Sequence, residues 1–489
     1  MHDSVALLWN KISREKHTTY QIYVNGEKAD HIQETDYTLE GLLPNRLYDI
    51  YIEAEDSAGM ILSRSELLHI QTKNQPKVFN VSDYGAYGDG ETLNTVAIQN
   101  TIDDCCEDGC VYIPKGVYRT GALYLKSNMI LYLESGAILL GSNSISDFPI
   151  MKYRFEGLET HCYASLINVR TEGGQRLKNI TLAGYGTIDA NGSTLRKQEL
   201  MELKGKPGRA VCIRNTDYLY MKGITVRQSP AWCVHFIYCN HVSINQLKVY
   251  TKEDIDGNRY EGISNGDGID PDSSSNVYIF RSKIASQDDC IAIKSGRDEE
   301  GRNVGISSEN YRITNCSFIS GFGVAVGSEM SGSIRNVLVQ DCTFENAYSV
   351  GSIKAPRGRG GVVENIVYED IQFANMSTEH EDCEWFRGAI YIDNYYSHVQ
   401  FDVNRKELNS AGTPVIRNII FRNIELETVA GNAIYMVGLP ESPLERISLI
   451  DVRARGKYGM VAQNIRNLIL DNVKVKSVEE TNFIFHNVR

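Results

Sequence analysis

No stretch of this sequence approaches the roughly 18 consecutive apolar residues of a membrane-spanning helix, which excludes a helical membrane protein. A basic arm is also missing. The 50 Lys and Arg stand against 62 Asp and Glu, for a formal net charge of −12, so neither a nucleic acid nor a membrane is expected as a partner. Proline is scarce, 11 in 489 residues, while 42% of the chain is hydrophobic, which excludes a disordered or collagen-like polymer. The 11 cysteines are scattered and odd in number. They show no paired Cys/His spacing, so neither a disulfide framework, a metal centre nor a cofactor is expected. Their one cluster, Cys105, Cys106 and Cys110, reads as small buried hydrophobes. The start, MHDSVALLWNKISREK, lacks a basic segment followed by an apolar core and a cleavage site, so a cytoplasmic location is expected. What remains is a chain with ample material for a core, roughly two to four domains by length.

Residues 1–72 contain short alternating segments split by turn signals: VALLWN, YQIYVNG, YDIYIEAEDSAG and LLHIQT. This pattern predicts a small β-sandwich. Trp9, Tyr20, Tyr23, Leu42, Pro44, Tyr48 and Ala54, with Asp56 to Gly59, resemble a fibronectin type III domain. Residues 73–78 are read as a linker. From residue 79 a phrase of the form Asn-x-x-apolar-x-x-x-x-apolar recurs, as in CNHVSINQLKV, SENYRITNCSF, IRNVLVQDCTF, VENIVYEDIQF and IRNIIFRNIEL, mostly about 21 to 38 residues apart. Repeats of this length mean a solenoid. Within each unit the alternation is period-two, so the expectation for 79–489 is an all-β parallel β-helix with rungs stacked about 4.8 Å apart. Cys316 and Cys342 hold the same place in consecutive units and read as stacked interior thiols. Loops on one face account for the variable spacing and are the expected walls of a groove.

The chemistry-bearing residues concentrate in the middle of the solenoid, in NGDGIDPDSSSNVYI (265–279) and SQDDCIAIKSGRDEEGR (286–302). Asp267 lies 21 residues before Asp288, about one rung, so stacking brings it beside the Asp288–Asp289 pair. Three carboxylates on adjacent rungs repel one another, and one should hold a proton near neutrality while another stays ionised. Acid/base cleavage of a glycosidic bond requires that arrangement. The same aspartates are open to a turn-capping or calcium-binding reading, since Asp267, Asp270 and Asp272 are closely spaced. The glycine and terminal glutamate of a helix-loop-helix calcium loop are absent, however.

The stretch 79–489 resembles the polygalacturonase family, glycoside hydrolase family 28. KVFNVSDYGAYGDGETLNTVAIQNTIDDC followed by GCVYIPKGVYRTGALYLKSNMILYLESGAILLGS is similar to the family's N-terminal cap and first turns. Asn265-Gly266-Asp267 stands where the family has N-T-D, and Gln287-Asp288-Asp289 where it has D-D. The resemblance implies a right-handed β-helix and an inverting glycosidase. In it Asp288 would be the general acid, while Asp267 and Asp289 hold and activate water. Two motifs depart from the family. Gly321-Phe322-Gly323 replaces G-H-G, and Ser352-Ile353-Lys354 replaces R-I-K. Lys354 is kept and would hold a uronate carboxylate. The lost histidine and arginine point away from plain homogalacturonan and toward rhamnose-containing or substituted pectin.

Further substrate-binding candidates are Asn265, Lys294, Arg297, Glu329, Arg357 and Arg359, all near the aspartates in sequence. Solvated surface positions are the alternative for the arginines. Local cations are needed because an acidic protein repels a polyanionic substrate beyond the cleft. Trp232 is placed to stack on a sugar and His235 to bond a hydroxyl, with burial in the core as the alternative for both. Arg387, Tyr395 and Tyr396 are assigned to a leaving-group subsite. The loop 295–310 resembles insertions in exo-acting relatives, so exo action on pectic oligosaccharides is expected. The alternatives are an exo-polygalacturonase on plain homogalacturonan, a carbohydrate-binding β-helix without turnover, and a pectate lyase. A lyase needs calcium and a proton-abstracting arginine, and the family resemblance speaks against it.

Overall fold

The computed structural model describes residues 2–12, 18–170, 174–254, 256–379, 386–396, 402–479 and 481–489. The chain divides into two compact units, Met1–Val78 and Phe79–Arg489.

In the first unit, Thr19–Val24 pairs antiparallel with Glu27–Ile32 and Leu47–Glu55, and the latter also pairs with Ile61–Arg64 and Leu68–Gln71. Ser4–Leu8 and Asp36–Glu40 make a second, two-stranded sheet. Period-two alternation turns Tyr20, Ile22, Ile50, Ile52 and Ala54 inward against Leu7, Leu39 and Leu42, the packing of a small β-sandwich. The Leu43 N–H donates to the Tyr48 hydroxyl at 2.8 Å, a corner device found in immunoglobulin-like sandwiches. Glu27–Ile32 is absent from the sequence reading because EKADHI has no apolar alternation and lies largely exposed.

The second unit is a right-handed parallel β-helix whose strands stack in three columns. The first column runs through Met129–Leu133, Leu177–Gly184, Thr216–Lys222, Asn240–Asn245, Ser275–Phe280, Ser308–Thr314 and Ile334–Gln340. The second runs through Ala137–Gly141, Thr187–Asp189, Thr225–Arg227, Lys248–Tyr250 and Lys283–Ala285. The third runs through Val211–Arg214, Val234–Ile237, Ile269–Asp272, Ile291–Ile293, Val324–Gly327, Gly351–Lys354 and Gly388–Asp393. Helix Thr95–Asp104 turns Ile98 and Ile102 onto the early rungs.

Inside the first column Val242, Val277, Tyr311, Val337, Ile366 and Ile419 lie over one another in register. Burial of each aliphatic side chain is worth about 1.5–3 kcal/mol. Cys316 and Cys342 lie inside on consecutive rungs, both buried, and burial raises the Cys342 thiol well above its ordinary value.

The recurring asparagine has a conformational task. Asn276, Asn310, Asn336, Asn365 and Asn418 all have φ between 55° and 63°, the left-handed region that asparagine tolerates better than most residues. Their amides form a ladder along the axis: Asn310 donates to Asn276 and Asn336 to Asn310 at 3.1 Å, and Asn365 to Asn336 and Asn418 to Asn365 at 3.0 Å. A second left-handed residue turns the corner between the first and second columns: Arg281, Asn315, Asp341, Asp370, Asn423, Asp451 and Asn472, with φ between 49° and 57°.

That corner stays short in these rungs. The long connections all enter or leave the third column: 142–166, 190–210, 251–268 and 376–387 precede its strands, and 294–307 and 394–414 follow them. The third column is therefore a floor with walls on both sides. One wall carries the antiparallel hairpin Ile150–Phe155 and Leu158–Tyr163 and helix Gly192–Glu202. The opposite wall carries helix Asp298–Val304.

Replacing Asn336 separates its two contributions. Asn336→Ala loses the ladder bonds and strains the left-handed backbone, so it should lower stability by about 1–3 kcal/mol. Asn336→Gly loses the bonds but keeps the backbone freedom, so its urea midpoint should fall less. Equal losses for both would show that φ is not what the asparagine serves.

Candidate active site

Alternation on the third column turns Ile269, Ile291, Ile293, Val324, Val326 and Ile353 into the core, which leaves the intervening residues on the outer face. Ala292, Ala325, Ser352 and Tyr391 form one outward row, and Gly327, Lys354 and Asp393 form the next. Ala292 and Ala325 keep the floor low between bulkier neighbours.

Asp267 and Asp289 sit in the bends that lead into consecutive strands of this floor. The Gly268 N–H donates to the Asp289 carbonyl at 2.9 Å, so the two aspartates are rung neighbours. Asp288 is half-buried at the rim, and its Oδ1 accepts the Asp289 N–H at 2.9 Å. The bend that holds it needs Gly321 on the next rung. At φ 91°, a Cβ there would lie 2.3 Å from the Asp288 carbonyl oxygen.

Two lysines hold the carboxylates. Lys294 Nζ lies 3.5 Å from Asp267, 3.4 Å from Asp270 and 3.4 Å from Glu329, and sits 4.6 Å above the Trp232 ring. Lys354 Nζ lies 2.6 Å from Asp289 Oδ2 and 5.2 Å from the centre of the Tyr396 ring. Four carboxyl groups thus share two ammonium groups. Burial, then repulsion from Asp270 and Asp288, raises the Asp267 carboxyl well above its ordinary value. Burial raises Asp270 to about 7, against the opposing pull of Lys294. Burial also raises Asp289 despite Lys354. Glu329 moves the other way: burial opposes ionisation, but Lys294 and then Arg359 lower its carboxyl below the ordinary value. The cluster therefore holds protons at a pH where isolated carboxylates have lost them.

Beside Asp288 and Asp289 opens a small pocket lined by Phe322, Ser352, Lys354, Tyr391 and Tyr396. Phe322 packs on Tyr348 at 5.2 Å and Phe386 at 6.1 Å. The Ser352 hydroxyl is buried without a hydrogen-bond partner among the described residues. Ser352 and Lys354 share one face, as their spacing requires.

Several expected ligands do other work. Trp232 is 2% exposed. Its ring stacks on Phe155 at 4.9 Å and carries Lys294 and Arg209 over it, so no face is left for a sugar. His235 is wholly buried, with Nε2 3.8 Å from Asp272 and Nδ1 3.7 Å from the Cys212 sulfur. Burial lowers it to about 4, and no atom reaches a substrate. Lys294 orders the carboxylates and does not reach into the pocket. Arg357 forks onto Glu441 at 2.6 and 3.0 Å. Arg359 bonds Asp298 at 2.5 Å and the Ser328 carbonyl at 2.8 Å. Arg297 is partly exposed, 3.3 Å from Asp298. Tyr395 is buried, its hydroxyl on the Val403 carbonyl at 3.0 Å, and Arg387 bonds the Phe386 carbonyl at 3.2 Å. Asn265 is exposed with φ 52° and lines a second cavity. Asp270 joins the cluster although the sequence does not single it out as a site residue. Its signal is the alternation with Asp272, which puts both on the outer face.

A family model described as glycosyl hydrolases family 28 matches residues 155–478, and one described as rhamnogalacturonase A/epimerase, pectate lyase-like matches residues 78–143. The chain is 32% identical over 386 residues to a probable polygalacturonase of Vitis vinifera, covering 76% of this chain and 72% of that protein. It is 27% identical over 452 residues to an exo-poly-alpha-D-galacturonosidase of Dickeya chrysanthemi, covering 77% and 73%. Among solved structures, the family 28 exopolygalacturonase of Yersinia enterocolitica superposes with a TM-score of 0.83 at 21% identity, over 100% of this chain and 96% of that one. A hyperthermoactive exopolygalacturonase of Thermotoga maritima does so at 0.67 and 22%, over 82% and 94%. At these identities the two structures speak for the fold.

The raised Asp270 carboxyl makes stability fall with pH. Between the ordinary carboxylate value near 4 and about 7, the folded chain keeps a proton that the unfolded chain has released. Rising pH therefore favours unfolding across that window. Asp270→Asn removes this titration, so Tm should fall by several degrees less between pH 4 and 7 than in the parent. Parallel Tm curves would show that Asp270 does not hold the proton.

Proposed function

The chain belongs to glycosyl hydrolases family 28, and from that premise we propose that it hydrolyses α-galacturonosidic bonds in pectic oligosaccharides from a chain end, with inversion at the anomeric carbon. The observation that carries this reading is the position of Asp288. It stands at the pocket rim, half-buried and in no ion pair with either lysine among the described residues, beside two buried carboxylates that each have one. Asp288 gives its proton to the glycosidic oxygen as the C–O bond breaks. Asp267 and Asp289 hold a water on the opposite face, and one of them takes its proton as the oxygen bonds to the anomeric carbon. An ammonium has three N–H donors, and Lys354 uses one on Asp289, so donors remain for a uronate carboxylate.

End action is supported by the hairpin turn Glu156–Gly157, which lies against the groove. The Arg297 N–H donates to the Gly157 carbonyl at 3.1 Å, and a Cβ on Gly157 would come within 2.8 Å of the Glu329 Cγ. A partner other than plain galacturonate is supported by Phe322 and Ser352. The Phe322 ring presents an apolar surface for the methyl group of rhamnose or for a substituent. Ser352 leaves no fork to clamp a second carboxylate. The N-terminal unit is read as a fibronectin type III-like module, supported by Leu42, Pro44 and the Tyr48 corner.

Asp288→Asn should lower turnover by about 10²–10⁴-fold while circular dichroism stays unchanged, and proton NMR of fresh product should show the β-anomer first. Parental activity in the variant, or α-anomer first, overturns the mechanism.

Comparison of kcat/KM should favour galacturonate linked to rhamnose, or a decorated galacturonan, over di- and trigalacturonate. Ser352→Arg should narrow the difference. Faster hydrolysis of the unsubstituted oligomers defeats this specificity, and a ladder of mid-sized early products defeats end action.

A further inference from the structure

Lys294 stands where three carboxylates meet. Its Nζ lies 3.5 Å from Asp267, 3.4 Å from Asp270 and 3.4 Å from Glu329, whereas Lys354 closes to 2.6 Å on Asp289 alone. At such near-equal distances no one acid holds the ammonium for itself. The backbone cannot follow any of them, because the Lys294 N–H donates to the Pro271 carbonyl at 2.8 Å and its own carbonyl accepts the Ser273 N–H at 2.9 Å. The side chain rests on the Trp232 ring, 4.6 Å from its centre, an attraction that strengthens away from water. Phe155 of the hairpin backs that ring at 4.9 Å. Glu329 is fixed as well: its carbonyl accepts the Ser295 N–H at 2.7 Å. The hairpin turn also confines it, since a Cβ on Gly157 would come within 2.8 Å of the Glu329 Cγ.

The surroundings leave the aspartates dependent on this one cation. Asp267 Oδ1 and both Asp270 oxygens are buried without a hydrogen-bond partner among the described residues, and no other cation there pairs with either aspartate. From the next rung Asp288 and Asp289 add repulsion at Asp267, with Lys354 paired to Asp289. From the hairpin, Arg154 pairs with Asp272 at 2.9 Å, and Arg209 lies 5.3 Å from the centre of the Trp232 ring. His235 on the preceding rung is lowered to about 4 by burial and stays neutral, as do the buried thiols of Cys233 and Cys290. Glu329 competes for the ammonium, and Arg359 helps to keep it ionised. An opposite charge within about 4–6 Å favours the ionised form of a carboxyl, so any drift of the ammonium toward Glu329 costs the Asp267–Asp270 pair its counter-charge.

We propose that Lys294 is a positioning residue for the hydrolysis: seated on Trp232 and balanced between Glu329 and the Asp267–Asp270 pair, it sets the pH above which the water-holding aspartate is free to take a proton. The inference rests on the reading of the aspartate cluster as the site of hydrolysis and extends it. Lys294 touches no reacting atom and acts through Asp267, while Glu329 draws on the same ammonium from the other side and opposes it.

The test is the pH profile of kcat/KM, which reports the groups of the free enzyme, measured on whichever of trigalacturonate and a rhamnogalacturonan oligomer the parent cleaves faster. Lys294→Met should move the acidic limb up by about one unit or more, the effect of one opposite charge at this range, and Lys294→Arg should bring it most of the way back. Glu329→Gln should move the same limb down, because the ammonium is then left to the aspartates. The alkaline limb, set by Asp288, should move far less in all three. A lowered profile of unchanged shape, or limbs that move the same way in Lys294→Met and Glu329→Gln, overturns the proposal. Glu329→Gln keeps every cation and carries the test where Lys294→Met does not fold. Tm against pH reads the same protons without turnover: its fall with rising pH should reach to higher pH in Lys294→Met and end at lower pH in Glu329→Gln. If the parent cleaves no galacturonide while these windows shift, hydrolysis at the aspartates falls and the hold of Lys294 on their protons stands. Normal cleavage with fixed limbs and fixed windows removes the role of Lys294 and leaves the hydrolysis intact.

Discussion

Parallel register is the constraint from which the rest of the molecule follows. Left-handed residues such as Asn310 and Asp341 bend each rung at fixed places, so a residue in one rung lies over its counterpart about 4.8 Å away in the next. Residues far apart in sequence thereby become neighbours: Asp267 beside Asp289, and Ala325 beside Ser352. The outer face of the third column is assembled by stacking alone. Its apolar half, Ile291, Val324 and Ile353, anchors the polar half in place. A one-residue slip in any strand would exchange the two.

The second constraint is a shortage of positive charge. Asp267, Asp270 and Glu329 gather on Lys294, and Asp289 on Lys354. Buried carboxylates are costly without partners, and here they outnumber the ammonium groups. The balance is met with protons, so the same imbalance that weakens the fold leaves the cluster holding protons near neutral pH. Trp232 takes part from beneath, because its ring steadies Lys294 at 4.6 Å and is itself held by Phe155 from the hairpin.

Local signals carry much of this in the sequence. The solenoid is readable because asparagine is among the few side chains that accept the left-handed bend, and the repeat of that one residue marks the rungs. The neighbourhood of Asp267 and Asp289 is readable because their spacing matches a rung. Expectation and structure part where a distant segment decides the environment. Trp232, His235 and Lys294 look like groove residues on their own strands, but Phe155, Arg154 and Arg209 arrive from the hairpin wall and its neighbouring loop and enclose them. Nothing in QSPAWCVHFIYC announces that cover. Position and the need for local cations direct the arginines near the cleft to substrate, whereas Arg357 and Arg359 are committed to Glu441 and Asp298. Asp270 reads in the sequence only as a turn-capping or calcium-binding candidate, because its partner Lys294 lies a rung away.

The placing of the long connections divides the chain into a part that is fixed and a part that is free to vary. The corner between the first and second columns holds only two or three residues, and a long insertion there would break the stack. At the two edges of the third column the loops close on themselves, and doubling such a loop costs only about 0.6 kcal/mol. A lineage built on this plan can lengthen, shorten or exchange the walls around its carboxylates without disturbing the rungs that aim them. New substrates are then reached by changing the walls, while the chemistry on the floor is inherited.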